Sequence, residues 1–249
     1  MRKLLLGTTA LAAAATLTAN AALADVSIAG MIEWSYNSRS SNIAASDGTT
    51  FTQDSDMQIS FSNKTDNGLD LGMTVDFDTD GGAFANDETS LSIGGGFGKI
   101  VLGYNDAAAD AFIQDESDLI QEDEGPVQAS ATISTSSSMA LGQGDNNKIA
   151  YFLPAMGGLT AGISHTDSGE TGASDSTSMG AKYSLAAAGA AITLSYATST
   201  TDNATQDIDS STMGMKVVSG DISMLISQGA YEASGADYDN MGASISYKM

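Results

Sequence analysis

The sequence predicts an all-β protein, a membrane-spanning antiparallel β-barrel of the up-and-down type. Three observations lead to this fold class. The first residues resemble an export signal, and most of the remaining chain alternates apolar and polar residues with a period of two. Short and long connections between these segments alternate along the chain. Together these features predict about twelve strands in a single domain.

The N-terminal segment, residues 1–24, has the three parts of a cleaved signal peptide. A positive start at residues 2–3 is followed by an apolar stretch, residues 4–15, and an A-x-A pattern at residues 22–24. The apolar stretch is too short to cross a bilayer, so a helix that belongs to the fold is the less favoured alternative. We expect cleavage after this pattern, which leaves residues 25–249 as the barrel domain.

Composition excludes several classes of function. Nine basic residues against 31 acidic ones give a net charge of −22, which disfavours a nucleic-acid partner because phosphates need basic contacts. Without cysteine there is no thiolate chemistry, and the single histidine, His165, makes neither a zinc site nor a convincing triad. We therefore expect no enzyme, with a barrel hydrolase built on a serine dyad as the remaining enzymatic alternative.

The alternation is clearest in residues 69–78, LDLGMTVDFD, where every odd position is apolar and every even one is polar or glycine. A strand with one apolar and one wet face has this pattern. We find twelve such segments. They are residues 26–37, 54–63, 68–78, 88–94, 98–105, 147–153, 158–166, 178–185, 190–199, 208–218, 221–231 and 238–249.

The connections alternate in length without exception. Those after even-numbered segments are short: 64–67, 95–97, 154–157, 186–189 and 219–220. Those after odd-numbered segments are longer: 38–53, 79–87, 106–146, 167–177, 200–207 and 232–237. This rhythm is typical of a membrane barrel with turns at one rim and loops at the other. A soluble sandwich or solenoid needs no such rhythm and is the weaker alternative.

The seven cations of the barrel domain, and likewise Asp70, Asp76 and Asp78, fall in the polar phase of their segments. A cation facing lipid at the midplane would cost about 2–4 kcal/mol, so a bilayer enforces this segregation. A soluble protein with an apolar core would show the same phase, so phase alone does not establish a membrane. We expect the following charges to face the lumen: Glu33, Asp70, Asp76, Lys99, Lys148, Lys182 and Lys216.

Aromatic residues are expected to form two belts at the membrane interfaces. The long-loop belt would contain Trp34, Tyr36, Phe77, Tyr104, Tyr196 and Tyr231. The short-turn belt would contain Phe61, Tyr151, Phe152 and Tyr183.

Three segments resemble general diffusion porins of Gram-negative bacteria. Residues 88–104, ETSLSIGGGFGKIVLGY, are similar to the strand-turn-strand that precedes the constriction loop of that family. Residues 147–159, NKIAYFLPAMGGL, are similar to the next hairpin, and residues 64–69, KTDNGL, to the first short turn.

The resemblance implies an outer-membrane homotrimer that lets small hydrophilic solutes and ions diffuse passively. It implies that the third long loop, residues 106–146, folds into the lumen. Both termini would be periplasmic, with lipid and the barrel-assembly machinery as further partners. The chain departs from the family in having twelve strands where sixteen are usual, and in lacking an arginine-rich wall, since Arg39 is the only arginine after Arg2.

The expected constriction loop carries a dense acidic cluster: Asp115, Glu116, Asp118, Glu122, Asp123 and Glu124. Rings of acidic side chains select cations, so we expect a cation-preferring channel. The alternatives are that these acids only solvate an exposed loop, and that the barrel is a non-conducting anchor or adhesin.

A second acidic segment, residues 76–87, nearly matches a calcium-binding loop. Its candidate ligands are Asp76, Asp78, Asp80 and Asp87. The last position is Asp rather than Glu and no helices flank the segment, so a hairpin loop is preferred. We expect no cofactor, with Ca²⁺ at the acidic loops as the open alternative.

Overall fold

A computed structural model of the chain shows a sheet with almost no helix. The structure describes residues 25–39, 48–79, 85–119, 146–167, 174–202, 207–233 and 235–248. The expected signal peptide, residues 1–24, lies outside the described residues.

The described residues form twelve strands, one for each predicted segment. They are β1 (Asp25–Arg39), β2 (Gly48–Lys64), β3 (Asp70–Asp78), β4 (Ala85–Gly95), β5 (Gly98–Asn105), β6 (Asn146–Phe152), β7 (Leu159–Thr166), β8 (Asp175–Ala187), β9 (Ala190–Asp202), β10 (Asp207–Ser219), β11 (Ile222–Ala233) and β12 (Ala236–Tyr247). The predicted all-β, up-and-down architecture with twelve strands is confirmed.

Each strand pairs antiparallel with the next in chain order, from β1 to β12. Within the described ranges no ladder joins β12 to β1, so these two strands are the edges of the sheet. The sheet is curled. The segment after β5 lies on its concave side, where it contacts β8, β9, β11 and β12. No helix in the described part of the chain is long and apolar enough to cross a membrane.

Several strands extend further at the long-loop rim than the alternation predicted. β2 begins at Gly48 rather than near residue 54, and its first residue pairs with Arg39. Residues 48–53 are mostly polar, so they carry no apolar phase. Backbone pairing continues past the level at which lipid would enforce alternation, so the apolar pattern underestimates strand length.

The short-turn rim is built from tight hairpins. Ala187 of β8 pairs with Ala190 of β9, which leaves Ala188 and Gly189 as a two-residue loop. Both have positive φ, 52° and 82°, as a type I′ turn requires. This turn matches the right-handed twist of the strands and fixes the register of the hairpin.

The apolar phase of the strands is the exposed one. A soluble barrel would bury this phase, whereas here the large apolar side chains lie in a continuous outward band. Its exposed members include Ile28, Ile32, Trp34, Tyr36, Phe51, Phe61, Met73, Leu91, Leu102, Ile149, Ile163, Met179, Leu194, Met213, Ile226, Met241 and Ile245. The alternative of a soluble protein with an apolar core is therefore wrong.

Two of the aromatic residues expected in the interface belts lie on the inner face instead. Phe152 packs against Phe112 of the loop after β5, with ring centroids 6.2 Å apart. Tyr231 pairs in register with Ser210, a buried inner-face residue. Both residues occupy the polar phase of their strands, so their aromatic rings lie on the lumen side of the sheet and not on the lipid side.

Candidate functional site

The inner face is defined by a row of mostly small residues at the same level of consecutive strands. Each residue of this row pairs directly with the next. From β3 to β10 the row is Gly72, Ser92, Val101, Ala150, Ser164, Ser178, Ser199 and Ser210. The segment that follows β5 lies over this row, in the concavity of the sheet.

Hydroxyl groups of the wall hold the backbone of that segment. The amide of Ala108 donates to Ser164 Oγ at 2.8 Å, and the amide of Ala109 donates to Ser178 Oγ at 3.2 Å. The two hydroxyl oxygens lie 2.8 Å apart and share a hydrogen bond. Two buried N–H groups of an irregular segment are thereby satisfied, which a lumen-embedded loop requires.

Apolar contacts complete the seat of the loop. Phe112 and Ala109 form a buried cluster with Ala197 of β9, and Phe152 packs against it. Farther along the wall Leu225 is completely buried, although it stands in the polar phase of β11. The loop forms a turn at Asp110–Phe112 over β8 and β9, and a second at Glu116–Leu119 over β11 and β12.

The acids predicted to line the constriction do not share one environment. Asp115 lies between the two turns of the loop and is only 5% exposed, whereas Asp118 is exposed. Glu116 belongs to the second turn, and Glu122, Asp123 and Glu124 lie outside the described residues. The described part of the acidic cluster therefore includes a carboxylate that is covered rather than presented to a solute.

Asp118 is surrounded by charges of both signs. Although Asp118 remains accessible to solvent, its carboxylate is partly desolvated within the lumen, which raises the pKa of Asp118 above its usual 3.8, and repulsion by Asp115 adds to the rise. Lys216 and Lys182 act in the opposite direction. These two lysines sit on the inner face of β10 and β8, on the wall that carries the loop, and their positive charge acts on Asp118.

The remaining predicted lumen lysines differ in exposure. Lys148 is 6% exposed, and its ammonium group donates to the backbone carbonyl of Asn105, where β5 ends. Lys99 is exposed, and its Nζ lies 5.1 Å from the centroid of the Phe152 ring. Lys148 therefore holds the base of the loop, while Lys99 stands beside open space.

That open space is a cavity of about 420 Å³ between the inner face of β4 and β5 and the start of the loop. Its charged lining residues are Glu88, Lys99, Asp106 and Asp110. Three carboxylates against one ammonium group make this part of the lumen acidic.

The wall formed by β2 and β3 carries a second group of carboxylates. Asp56 pairs in register with Asp78, and Asp54, Asp76, Asp78 and Asp87 all repel the Asp56 carboxylate. The ladders place Asp54, Asp56, Asp76 and Asp78 in the inner phase, and Glu33 is the register partner of Asp54. The period of two predicts Asp76 and Glu33 as lumen-facing charges, but only the register of the strands groups them with Asp54 and Asp56.

The candidate calcium ligands are spread over this region. Asp76 and Asp78 lie on β3 and Asp87 on β4, while Asp80 lies outside the described residues. Across the described residues, no three histidine, cysteine or acidic side chains converge as a metal site. Asp70, another predicted lumen charge, forms an exposed ion pair of 2.8 Å with Lys64.

Sequence reasoning missed the residues that seat the loop, although they carry a readable signal. Val101, Phe152 and Leu225 are large apolar residues in the polar phase of their strands. A wet face that must be covered by a loop needs apolar or very small residues at the contact. Apolar residues at polar-phase positions therefore mark the part of the inner face that the loop contacts.

Comparison with known proteins gives one family. A sequence model of the Gram-negative porin family matches residues 7–249. No match was found among the curated proteins.

Solved structures share the fold. The anion-selective porin from Comamonas acidovorans is similar at 20% identity over 88% of this chain and 72% of that one, with a TM-score of 0.59. A porin refined at 1.8 Å resolution gives 16% identity, coverage of 90% and 79%, and a TM-score of 0.57. A mutant of the Rh. blastica porin gives 14% identity, coverage of 90% of both chains, and a TM-score of 0.51.

Proposed function

The chain belongs to the Gram-negative porin family, and on this premise we propose that its outer-membrane channel prefers cations over anions. The pore would be filled with water and pass small hydrophilic solutes and ions by passive diffusion. A single observation carries the proposed preference, namely the distribution of charge on the inner face of the sheet.

Carboxylates dominate the surfaces that an ion would meet. The inner face of β2 and β3 carries Asp54, Asp56, Asp76 and Asp78, and Glu88 follows on β4. A concentration of acidic side chains along a pore lowers the energy of cations and raises that of anions. The net charge of −22 has the same sign.

The lysines of the inner face offset this field only in part. Lys148 is buried at the base of the loop, and Lys182 and Lys216 interact with Asp118. The charge of these three lysines is therefore directed at the loop, whereas Lys99 stands beside the cavity, where it faces three carboxylates. The Comamonas acidovorans porin is named as anion-selective, but at 20% identity the likeness concerns the fold, and selectivity depends on each chain's own charges.

The test is a planar-bilayer recording in a KCl gradient. We expect steady ohmic steps and a reversal potential on the side that indicates K⁺ permeation. A reversal potential on the Cl⁻ side would overturn the cation preference and leave the channel intact. A folded protein without conductance steps would instead favour a non-conducting anchor or adhesin.

We also propose that β12 pairs with β1 in the membrane, which closes the barrel. Both edge strands expose apolar side chains in their outward phase, including Ile28 of β1 and Ile245 of β12. Backbone groups left unpaired in lipid cost several kcal/mol each, so an open edge is unstable in a bilayer. An even strand number makes the pairing antiparallel and puts both termini at the short-turn rim, the periplasmic side.

The proposed partners follow from the outer surface and from family membership. Lipid would cover the apolar band, the barrel-assembly machinery would insert the exported chain after signal cleavage, and three copies would associate as a homotrimer. Trp34 and Phe51, 62% and 72% exposed, offer an apolar surface for such association. Mass measurement of the protein in detergent distinguishes a trimer from a monomer.

We propose that the channel works without a cofactor and catalyses no reaction. His165 is exposed on β7, where its Nδ1 lies 2.9 Å from Thr177 Oγ1 of the neighbouring strand. Conductance should be unchanged by EDTA. A loss of conductance that Ca²⁺ restores would instead support calcium at Asp76, Asp78, Asp80 and Asp87.

A further inference from the structure

Three glycines of the inner face lie directly beneath the third loop. They are Gly162 on β7, Gly180 on β8 and Gly214 on β10, and all three are buried. The three residues have ordinary backbone conformations. These positions therefore need glycine because there is no room for a side chain, and not because the backbone adopts an unusual conformation.

The space above Gly180 and Gly214 is filled by the loop, and the space above Gly162 is filled by Phe152 of β6 together with Phe112 of the loop. A Cβ atom on Gly180 would lie 2.7 Å from Cβ and 2.8 Å from Cδ2 of Phe112. A Cβ on Gly162 would lie 2.7 Å from Phe152 and 3.0 Å from the Phe112 ring. On Gly214 it would meet the backbone carbonyl of Gln114, the Ser195 hydroxyl and Gln114 Cβ. A methyl group at Gly180 or Gly214 therefore requires the loop to move, and one at Gly162 requires Phe152 to move toward Phe112 or the loop to move with it.

The loop has one direction in which to move. Behind the glycines lies the strand backbone, whose ladders are fixed on both sides, and in front lies the lumen. Interiors are close-packed, so a methyl group added at a contact displaces the partner that is not held in a strand ladder. That partner is the loop, which contacts the wall through Phe112, Gln114 and the Ser164 and Ser178 hydrogen bonds.

We propose that Gly162, Gly180 and Gly214 are positioning residues that determine how deeply the third loop lies against the wall and thereby set the width of the pore. This inference rests on the proposed channel function. It assigns the size limit to the contact of three wall glycines with Phe112 and Gln114 of the loop, which at Gly162 includes the wall residue Phe152, in addition to the charges that set selectivity.

The experiment compares single-channel conductance of the wild type with that of Gly180→Ala and Gly162→Ala. We expect each substitution to lower conductance by about 1.5-fold, because conduction through a narrow pore follows its free cross-section. The exclusion of polyethylene glycols should shift to smaller polymers. Gly94→Ala is the matched control, since Gly94 also faces inward on a strand but a Cβ there would meet no atom closer than 3.7 Å.

A second substitution approaches the same contact from the loop. Phe112→Ala removes the ring above Gly180, so Phe112→Ala combined with Gly180→Ala should recover conductance toward the wild-type value. Phe112→Ala alone should raise it, and this variant leaves every strand intact. Heat-modifiable migration on gels verifies that each variant folds.

The results distinguish a failure of the proposed channel function from a failure of the glycine proposal. A wild type without conductance contradicts the proposed channel. A conducting wild type whose Gly180→Ala and Gly162→Ala variants match Gly94→Ala, or conduct more, overturns the glycine proposal alone. Failure of Phe112→Ala to restore the double variant would also overturn it, because the contact would then not transmit the displacement.

Discussion

The buried ammonium group of Lys148 on β6 donates a hydrogen bond to the backbone carbonyl of Asn105, the last residue of β5. The two strands are neighbours, and the third loop leaves the sheet at this carbonyl. A lumen lysine thus holds the point at which the chain turns inward.

Replacing Lys148 with Met should loosen the base of the loop. The substitution keeps most of the side-chain volume but leaves a carbonyl without its donor, which costs about 1–3 kcal/mol. We expect increased open-channel current noise with little change in ion preference. Lys99→Met, at an exposed lysine of the same wall, is the control, and equal noise in both variants would contradict the role given to Lys148.

The carboxylates of the β2 wall should contribute to cation preference. Asp54→Asn combined with Asp56→Asn removes two charges from the inner face without changing side-chain shape. We expect the reversal potential in a KCl gradient to move toward zero. Asp209→Asn is the matched control, because Asp209 is exposed on the outward phase of β10, where it accepts a 2.7 Å hydrogen bond from Thr200. If the control shifts the potential as much as the wall variant, the wall does not determine selectivity.

Cation preference should begin to decline at a higher pH than ordinary carboxylates would predict. Desolvation first, and Asp115 second, raise the pKa of Asp118 above 3.8, so Asp118 takes up its proton early as the pH falls. Asp118→Asn should remove this early component from a series of reversal potentials measured against pH. Superimposable profiles for the two proteins would rule out a contribution from Asp118.

The sign of the accompanying stability effect follows from the same shift. An acid whose pKa is higher in the folded chain is destabilising when charged, and that cost disappears as the pH falls through the raised pKa. Asp118→Asn should therefore not lower the thermal stability at neutral pH, unlike the loss of a stabilising ion pair.

A charged residue placed in the outward apolar band should destabilise the protein. Ile163 is exposed on the outward phase of β7, and Thr160 is exposed on the inward phase of the same strand. Ile163→Arg should destabilise the protein folded in lipid vesicles by about 2–4 kcal/mol, whereas Thr160→Arg should cost much less. Denaturant titration in vesicles measures both, and equal losses would contradict a lipid-facing band.

Closure between the first and last strands can be tested with cysteines, since the chain contains none. Ile28→Cys on β1 is combined in turn with Ala243→Cys, Ile245→Cys and Tyr247→Cys on β12. We expect one combination to form a disulfide within a single chain. Ile28→Cys with Ile59→Cys is the positive control, because these residues are register partners. Crosslinks only between chains would show that the edges pair across copies instead.

Sequence alone determined the strands and the side of each that faces lipid. The period of two recovered all twelve strands. Lys99, Lys182 and Lys216 stand in the polar phase of their strands, on the face opposite the apolar band. These are local properties, since neighbouring residues in a strand point to opposite faces. The acidic cluster is likewise a local feature, a run of acidic residues, and nothing in that run shows that Asp115 is covered while Asp118 is exposed.

Only the tertiary structure decided where the third loop lies and which residues seat it. Ala108 meets Ser164 and Ala109 meets Ser178 across sequence separations of 56 and 69 residues, and no local period records such contacts. The seat depends on how strongly the sheet curls and on the register of each hairpin. A glycine in a polar phase became meaningful only when Phe112 was found above Gly180.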